Sequence, residues 1–169
     1  ATTAAGYTGV PAGLAYNGTR GYGWTTAAAG FDRGALSRAP AAESNLLRDG
    51  AYTNASYGSS TFRTDVPEGS YQVTVTLGDA WFARDKMQGK ANGTVMTPVG
   101  GVSTAAGRFA VVSFPVTVSA GAPSIQLQFG DLGGDPYWAA NGITIRPAVT
   151  PGALSGPSSS LPADGTTLD

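Results

Sequence analysis

The sequence contains neither cysteine nor histidine. Without cysteine there is no thiol nucleophile and no disulfide framework, and without histidine there is no Ser-His-Asp triad. The two absences together exclude a zinc site built on imidazole or thiolate ligands. Any chemistry must therefore come from carboxylate, guanidinium, hydroxyl, amide and aromatic groups.

Charged residues are scarce as well. They make up 12% of the 169 residues, against about 25% in an average globular protein. The ten Lys and Arg residues are scattered singly and the formal net charge is −1, so no basic patch predicts binding to nucleic acid or to an anionic membrane. No apolar run approaches the roughly 18 residues of a membrane span. We therefore expect neither nucleic acid nor a membrane as a partner.

The clearest positive pattern is the alternation of apolar and polar residues in short stretches. Residues 71–77 (YQVTVTL) alternate strictly, which predicts a half-buried strand. Pro115 lies inside another predicted strand and cannot donate a ladder hydrogen bond, which predicts an edge position or a bulge. No long helical period is present, so we predict an all-β fold, an antiparallel β-sandwich of the jelly-roll type. The predicted strands are residues 62–66, 71–77, 109–118, 125–129 and 143–147, with shorter strands at 92–97 and near 7–10.

The composition changes at residue 147. Residues 147–169 are rich in Pro, Gly and Ser without a packed pattern, which is typical of a linker. Residues 161–167 (LPADGTT) resemble the opening of an Ig-like repeat of bacterial surface proteins. We therefore predict a β-sandwich module at residues 1–146 and a linker at 147–169 that leads to an Ig-like domain. The alternative is a tail with no successor.

Long loops between the predicted strands, at residues 16–58, 79–91 and 130–141, are rich in aromatic residues. Sugars are bound by aromatic rings that pack on the apolar face of a pyranose and by polar side chains that bind its hydroxyls. These loops supply both kinds of group. The candidate carbohydrate-binding residues are the ring platforms Trp24, Trp81, Tyr137 and Trp138 and the polar residues Arg33, Arg48, Asp49, Arg84 and Asp85.

These candidates have structural alternatives. Trp138 precedes a predicted strand and can pack in the core, and Trp24 can anchor a loop. The dipeptide Arg-Asp occurs at 48–49 and again at 84–85, where guanidinium groups can bind sugar hydroxyls or a uronate carboxylate. The alternative for both dipeptides is buried salt bridges that tie the loops to the sandwich. Asp79, at a strand end, is expected to cap a turn.

The Gly-rich loop at 130–141 also offers oxygen ligands. Ca²⁺ prefers carboxylate and amide oxygens, and the candidate ligands are Asp131, Asp135 and Asn141. No EF-hand spacing is present, so a structural Ca²⁺ is an option and no cofactor is required.

A series of short motifs in a fixed order extends over residues 6–146. The motifs are GYTGV (6–10), GYGW (21–24), DRG (32–34), LRD (47–49), FRTDVPEGSY (62–71), LGDA (77–80), RDKM (84–87), TAAG (104–107) and WAANGI (138–143). Through them the chain resembles the galactose-binding-like β-jelly-roll modules of bacterial polysaccharide-degrading enzymes, of the rhamnogalacturonan acetylesterase N-terminal type. The resemblance implies that fold and a carbohydrate ligand, without naming the sugar.

Taken together, these patterns predict a non-catalytic carbohydrate-binding module, secreted or at the cell surface. It would target a larger protein to polysaccharide, beside neighbouring domains of the same chain. One alternative is a structural or adhesive spacer of a bacterial surface protein. The other is a small hydrolase that uses carboxylates alone.

Overall fold

A computed structural model describes residues 3–34, 41–53 and 58–148 of the chain. Within these residues it contains eleven β-strands and one short α-helix, α1 (Ala41–Leu47). None of the helical structure described has the length and apolarity needed to cross a bilayer. The strands are β1 (Tyr22–Thr26), β2 (Ala29–Asp32), β3 (Asp49–Tyr52), β4 (Ser60–Asp65), β5 (Gly69–Asp79), β6 (Arg84–Ala91), β7 (Thr94–Val95), β8 (Val102–Thr104), β9 (Arg108–Val118), β10 (Ser124–Asp131) and β11 (Ala139–Pro147).

The strands form two antiparallel sheets with a shared core. One sheet has the order β1-β4-β10-β6-β7, with β8 also pairing with β6, and the other has the order β2-β3-β11-β5-β9. Buried side chains from both sheets belong to one hydrophobic cluster. The predicted all-β antiparallel sandwich is therefore confirmed.

The core follows from the two-residue alternation. On β5, Val73, Val75 and Leu77 are at most 2% exposed, and on β10 Ile125 and Leu127 are fully buried. Burying a side chain of this size contributes about 1.5–3 kcal/mol. The alternation therefore fixes which face of each strand turns towards the opposite sheet.

The segment predicted as the first long loop folds differently. Residues 16–58 include β1, β2, α1 and β3. β1 has no clean alternation, and its strand conformation depends on pairing with β4, where Trp24 lies opposite Phe62. Conversely, residues 7–10 form no strand, and residues 92–97 contain only the two-residue β7. The local alternation of apolar and polar residues does not predict these strands, because strand formation depends strongly on cross-strand partners.

Pro115 lies in β9, the edge strand of its sheet, as predicted. An edge strand has one side without a ladder, so a residue that lacks an N–H can be accommodated there.

At the predicted boundary between the module and the linker, Pro147 is the last residue of β11. Residues 149–169, which make up nearly all of the predicted linker, lie outside the described residues.

Candidate functional site

A fully buried carboxylate, Asp79, ends β5 and is held by two arginines. Arg33 Nε and Nη2 donate to its two oxygens at 3.0 and 2.7 Å, and Arg84 Nη2 donates at 2.9 Å. The backbone N–H of Trp81 adds a hydrogen bond at 2.9 Å, so Asp79 also caps the turn, as predicted. Asp79 therefore joins the segment after β2, the β5–β6 connection and the start of β6.

Arg84 extends this network to the connection between β10 and β11. Its Nη1 donates to Asp135 Oδ2 at 2.9 Å. The backbone N–H of Asp135 donates in turn to Asp85 Oδ1 at 2.7 Å. Two hydrogen bonds therefore hold the β10–β11 connection to the beginning of β6. The positive charges of Arg33 and Arg84 are balanced by the carboxylates of Asp79 and Asp135.

Opposing effects set the pKa values of the buried pair. Burial raises the pKa of Asp79, but the hydrogen bonds from Arg33, Trp81 and Arg84 lower it by a larger amount. The net pKa of Asp79 therefore lies below its ordinary value. Burial lowers the pKa of Arg84, but its contacts with Asp135 and Asp79 outweigh this and raise the net pKa. Asp79 and Arg84 are therefore both charged near neutral pH.

Gly78 allows β5 to bring Asp79 into this position. Its φ is 142°, and a Cβ atom there would lie 2.5 Å from the carbonyl oxygen of Arg108 on β9. Only glycine tolerates both this backbone conformation and this close approach. A larger residue would force β5 and β9 apart immediately before Asp79.

Aromatic rings surround the guanidinium of Arg33. Its Cζ lies 4.6 Å from the ring centroid of Phe31, 5.2 Å from that of Trp81 and 5.0 Å from that of Phe82. Each such cation–π contact is worth about 0.5–2 kcal/mol. Since Asp79 fixes the guanidinium, it also fixes the position of the rings.

The series of rings continues around Arg84. Its Cζ lies 5.3 Å from the centroid of Phe82 and 5.5 Å from that of Tyr137. The ring of Tyr137 lies 6.3 Å from that of Tyr52, and Tyr52 lies 6.2 Å from Phe31. We call this group the Asp79 cluster; it consists of Arg33, Asp79, Arg84 and Asp135 with the rings of Phe31, Tyr52, Trp81, Phe82 and Tyr137.

Two neighbouring rings of the Asp79 cluster are exposed, Trp81 at 60% and Phe82 at 50%. Adjacent exposed aromatic residues are typical of a binding surface. Arg33 uses Nε and Nη2 for Asp79, and among the described residues its Nη1, a further donor group, has no acceptor. This surface suits a ligand with one apolar face and a rim of hydroxyl groups.

The structure brings together about half of the residues predicted from the sequence. Arg84 forms buried salt bridges, which was the structural alternative, yet the same guanidinium also contacts two rings of the cluster. The predicted residues that meet here are Arg33, Trp81, Arg84, Asp85 and Tyr137, together with the predicted calcium ligand Asp135.

Trp138 and Trp24 are core residues, which corrects their prediction as surface platforms. Trp138 is 0% exposed, stacks on Phe129 at 5.3 Å between centroids and donates its indole N–H to the carbonyl of Gly58. Trp24 is 7% exposed and meets Phe62 edge to face at 5.4 Å. Rings this deeply buried cannot stack on a sugar at the surface.

The side chain of Arg48 is paired outside the Asp79 cluster. Arg48 donates twice to Asp32, at 3.2 and 3.0 Å, and this hydrogen bonding lowers the pKa of the Asp32 carboxyl. The backbone carbonyl of Asp49 accepts from the Asn141 amide at 3.0 Å, and burial raises the pKa of the Asp49 carboxyl. The first Arg-Asp dipeptide therefore meets the Asp79 cluster through its backbone, since the Arg48 carbonyl accepts from the N–H of Arg33 at 2.7 Å.

Two of the three predicted calcium ligands make contacts with other protein groups. Asp135 is paired with Arg84, and the Asn141 amide donates to two backbone carbonyls. Burial raises the pKa of the Asp131 carboxyl, and its Oδ2 is buried without a hydrogen-bond partner among the described residues. Within the described ranges, no three His, Cys, Asp or Glu side chains group as metal ligands. The calcium site stays a prediction, and the contacts favour ion pairing for Asp135.

Sequence reasoning missed the central role of Asp79 and the participation of Phe31, Tyr52 and Phe82. A signal for Asp79 was present, because it falls on the inward-facing position of the β5 alternation, two residues after Leu77. A charged residue at an inward position needs buried partners of opposite charge. No comparable signal separates the rings of Phe31, Tyr52 and Phe82 from other loop aromatics.

Comparison with protein families gives one family. Residues 1–128 match the family model described as Beta-agarase/YXIM esterase-like, galactose-binding domain-like. The matched range contains the Asp79 cluster except for Asp135 and Tyr137, and it covers most of both sheets.

Individual relatives are longer than this chain. Beta-agarase A of Zobellia galactanivorans is 32% identical over 150 residues, which are 88% of this chain and 25% of that protein. The crystal structure of protein YXIM from Bacillus subtilis has a TM-score of 0.56 at 25% identity, covering 87% of this chain and 37% of that one. A Bacteroides uniformis beta-glucuronidase is similar in fold alone, with a TM-score of 0.53 at 15% identity over 76% of this chain and 14% of its own. The chain thus spans about a quarter of the curated relative it matches.

Proposed function

This chain belongs to the Beta-agarase/YXIM esterase-like family of galactose-binding-like domains, which confirms the galactose-binding-like module that its motifs predicted, and from that membership we propose that it is a non-catalytic carbohydrate-binding module. The observation that carries the proposal is the exposed pair Trp81 and Phe82 beside Arg33, whose guanidinium is fixed by buried Asp79. The rings supply an apolar platform, and Arg33 supplies donors for hydroxyl groups.

The charges of the Asp79 cluster favour an uncharged polysaccharide. Arg33 and Arg84 are matched by Asp79 and Asp135, so the four groups sum to zero. A uronate polymer would need an excess of positive charge at this surface. Because one relative is named a beta-agarase, agarose, an uncharged galactan, is the first ligand to test.

Within the Asp79 cluster, the contacts of Asp79 support binding over hydrolysis. A general acid of a glycosidase needs a raised pKa, whereas the pKa of Asp79 lies below its ordinary value, and Asp49 and Asp131, whose pKa values are raised, are not members of the cluster. A binding module contributes by keeping the rest of a longer protein close to the polymer. We place it outside the cell, next to other domains of the same polypeptide, because such polymers are extracellular.

Depletion of the chain from solution by agarose beads tests the proposal. We expect weak binding, roughly micromolar to millimolar in Kd, because few rings are available and sugars are well hydrated. Trp81→Ala should weaken binding about tenfold or more, since the stacking platform is lost. Tyr7→Ala is the matched control, because Tyr7 is also exposed but makes its contact with Thr144, outside the cluster. Equal retention of Trp81→Ala and the unmodified chain would rule out this site.

A spacer role is the second candidate, because an exposed aromatic pair also suits a contact with a neighbouring domain. The two roles differ in their response to soluble agaro-oligosaccharides. A carbohydrate-binding module should be released from the beads by them, whereas a spacer should bind neither the beads nor the oligosaccharides.

A further inference from the structure

A recess with a polar lining adjoins the Asp79 cluster. Its volume is about 490 Å³. We call it the Thr104 pocket; its polar lining comes from the start of β6, from β8 and from the β10–β11 connection, and consists of Arg84, Asp85, Ser103, Thr104 and Asp135. Arg84 and Asp135 also belong to the Asp79 cluster, and Ala83, which lines the recess as well, directly follows the exposed Phe82. The Thr104 pocket therefore lies beside the exposed rings.

A β-bulge in β6 gives the pocket its composition. Arg84 lies opposite Thr104 on β8, and the register shifts before Met87, so that β6 carries one residue more than its partner. Within this stretch Lys86 has a φ of 50°, in the left-handed region. In a regular strand the neighbours Arg84 and Asp85 would point to opposite faces. A bulge re-aims side chains, and here both neighbours line the pocket.

Two buried polar groups of the pocket have no partner among the described residues. Arg84 is 8% exposed and Thr104 is 9% exposed. Arg84 uses Nη1 and Nη2 for Asp135 and Asp79, but its Nε donates to no group that the structure describes, and the Oγ1 of Thr104 is in the same state. Because buried polar groups are nearly always hydrogen-bonded, these two atoms indicate a polar partner from outside the described residues.

Two further groups complete a set of donors and acceptors. The Ser103 hydroxyl accepts from the backbone N–H of Lys86 at 3.1 Å, which leaves its own hydrogen for another acceptor. Asp135 accepts from Arg84 with Oδ2, and within the described part of the chain its Oδ1 accepts no hydrogen bond. The pocket thus offers an N–H donor, a carboxylate acceptor and two hydroxyls. This set suits a sugar residue, whose hydroxyl groups both donate and accept.

The charges of the lining disfavour an anionic residue. Arg84 contributes one positive charge, and Asp85 and Asp135 contribute two negative charges, so that these three groups sum to −1. A sugar with a carboxylate or a sulfate group would be repelled here. The pocket and the electrically neutral Asp79 cluster therefore favour the same kind of polymer.

We propose that the Thr104 pocket binds a second sugar residue of the same polysaccharide, next to the residue that stacks on Trp81 and Phe82. The inference rests on the proposed function and adds to it that the site takes at least two sugar residues, of which the one in the pocket is uncharged. The exposed rings supply apolar contact, and the pocket supplies hydrogen bonds. A hydroxyl of the second residue is the partner of Arg84 Nε and Thr104 Oγ1.

Thr104→Val separates this role from a structural one. Because the Thr104 hydroxyl has no partner among the described residues, a methyl group in its place should leave the free energy of unfolding unchanged or higher. Thr97→Val is the matched control, since Thr97 is 7% exposed, its Oγ1 is likewise without a described partner, and it does not line the pocket. Urea denaturation of both variants checks the expected stability.

Nuclear magnetic resonance titration of the 169-residue chain measures the binding. The two ligands are an agaro-tetrasaccharide and methyl β-galactoside, which offers a single residue. The single residue should bind at least about tenfold more weakly, because it cannot occupy the rings and the pocket together. Thr104→Val should weaken tetrasaccharide binding about threefold to tenfold, the effect of a lost hydrogen bond. Thr97→Val should bind like the unmodified chain.

Three outcomes would overturn the pocket and leave the proposed function in place. In the first, Thr104→Val binds the tetrasaccharide as tightly as Thr97→Val does. In the second, methyl β-galactoside binds as tightly as the tetrasaccharide. The third needs no variant: in the unmodified chain the tetrasaccharide shifts the indole signal of Trp81 but not the backbone amide signals of Ser103 and Thr104. If the tetrasaccharide shifts none of these signals, the proposed function fails together with the pocket.

Discussion

At the scale of single residues, Asp79 controls the arrangement of the proposed sugar site. Asp79→Asn would leave Arg33 and Arg84 buried without a full counter-charge, and breaking such a pair lowers the free energy of unfolding by about 3–5 kcal/mol. Asp65→Asn is the matched control, because its pair with Arg63 is one-third exposed and worth at most about 1 kcal/mol. Urea denaturation of both variants measures the difference, and equal losses would contradict a special role for Asp79.

The same carboxyl predicts a pH dependence. Because the pKa of Asp79 is lower in the folded than in the unfolded chain, its contribution is fully present above the ordinary pKa of about 3.9 and disappears as the pH falls through the folded value. The difference in free energy of unfolding between the unmodified chain and Asp79→Asn should therefore be constant from about pH 7 to 5 and shrink below about pH 4. Urea denaturation at a series of pH values checks this. A loss that begins above pH 5 would mean that burial outweighs the arginines.

Individual site residues could be predicted from the sequence only in part. Arg33, Trp81 and Tyr137 were candidates because the loops combine rings with guanidinium groups, and the structure places them together. Trp24 and Trp138 share that composition, but their burial depends on packing against distant strands. The partner of Arg84, Asp135, lies 51 residues away, and no local pattern reveals a pairing of that kind.

At the scale of elements, Gly78 tests how closely β5 must approach β9. Gly78→Ala should lower the free energy of unfolding by about 1–3 kcal/mol, because its φ of 142° and the 2.5 Å approach of the Arg108 carbonyl oxygen both disfavour a Cβ atom. Gly121→Ala, where a Cβ atom meets nothing within 4 Å, should leave stability nearly unchanged. Thermal denaturation of the two variants compares them, and a harmless Gly78→Ala would contradict the close approach.

The strands differ in how well their sequences reveal them. β5 and β10 were predictable because each buries one face, so that apolar residues recur at every second position. β1 and β2 were not, since they are short, rich in small residues and dependent on pairing with β4 and β3.

At the scale of the whole molecule, segments that lie far apart in the sequence meet in one place. The segment after β2 and the connections β5–β6 and β10–β11 converge on the Asp79 cluster. The proposed sugar site therefore depends on the folded sandwich as a unit.

The central claim is that the exposed rings of the Asp79 cluster bind carbohydrate, and a nuclear magnetic resonance titration with agaro-oligosaccharides tests it most directly. The chain has three Trp residues, so its spectrum contains three indole N–H signals. We predict that the signal of Trp81 shifts on titration while those of the buried Trp24 and Trp138 stay in place. A spectrum in which all three signals remain unchanged at millimolar oligosaccharide would contradict the account.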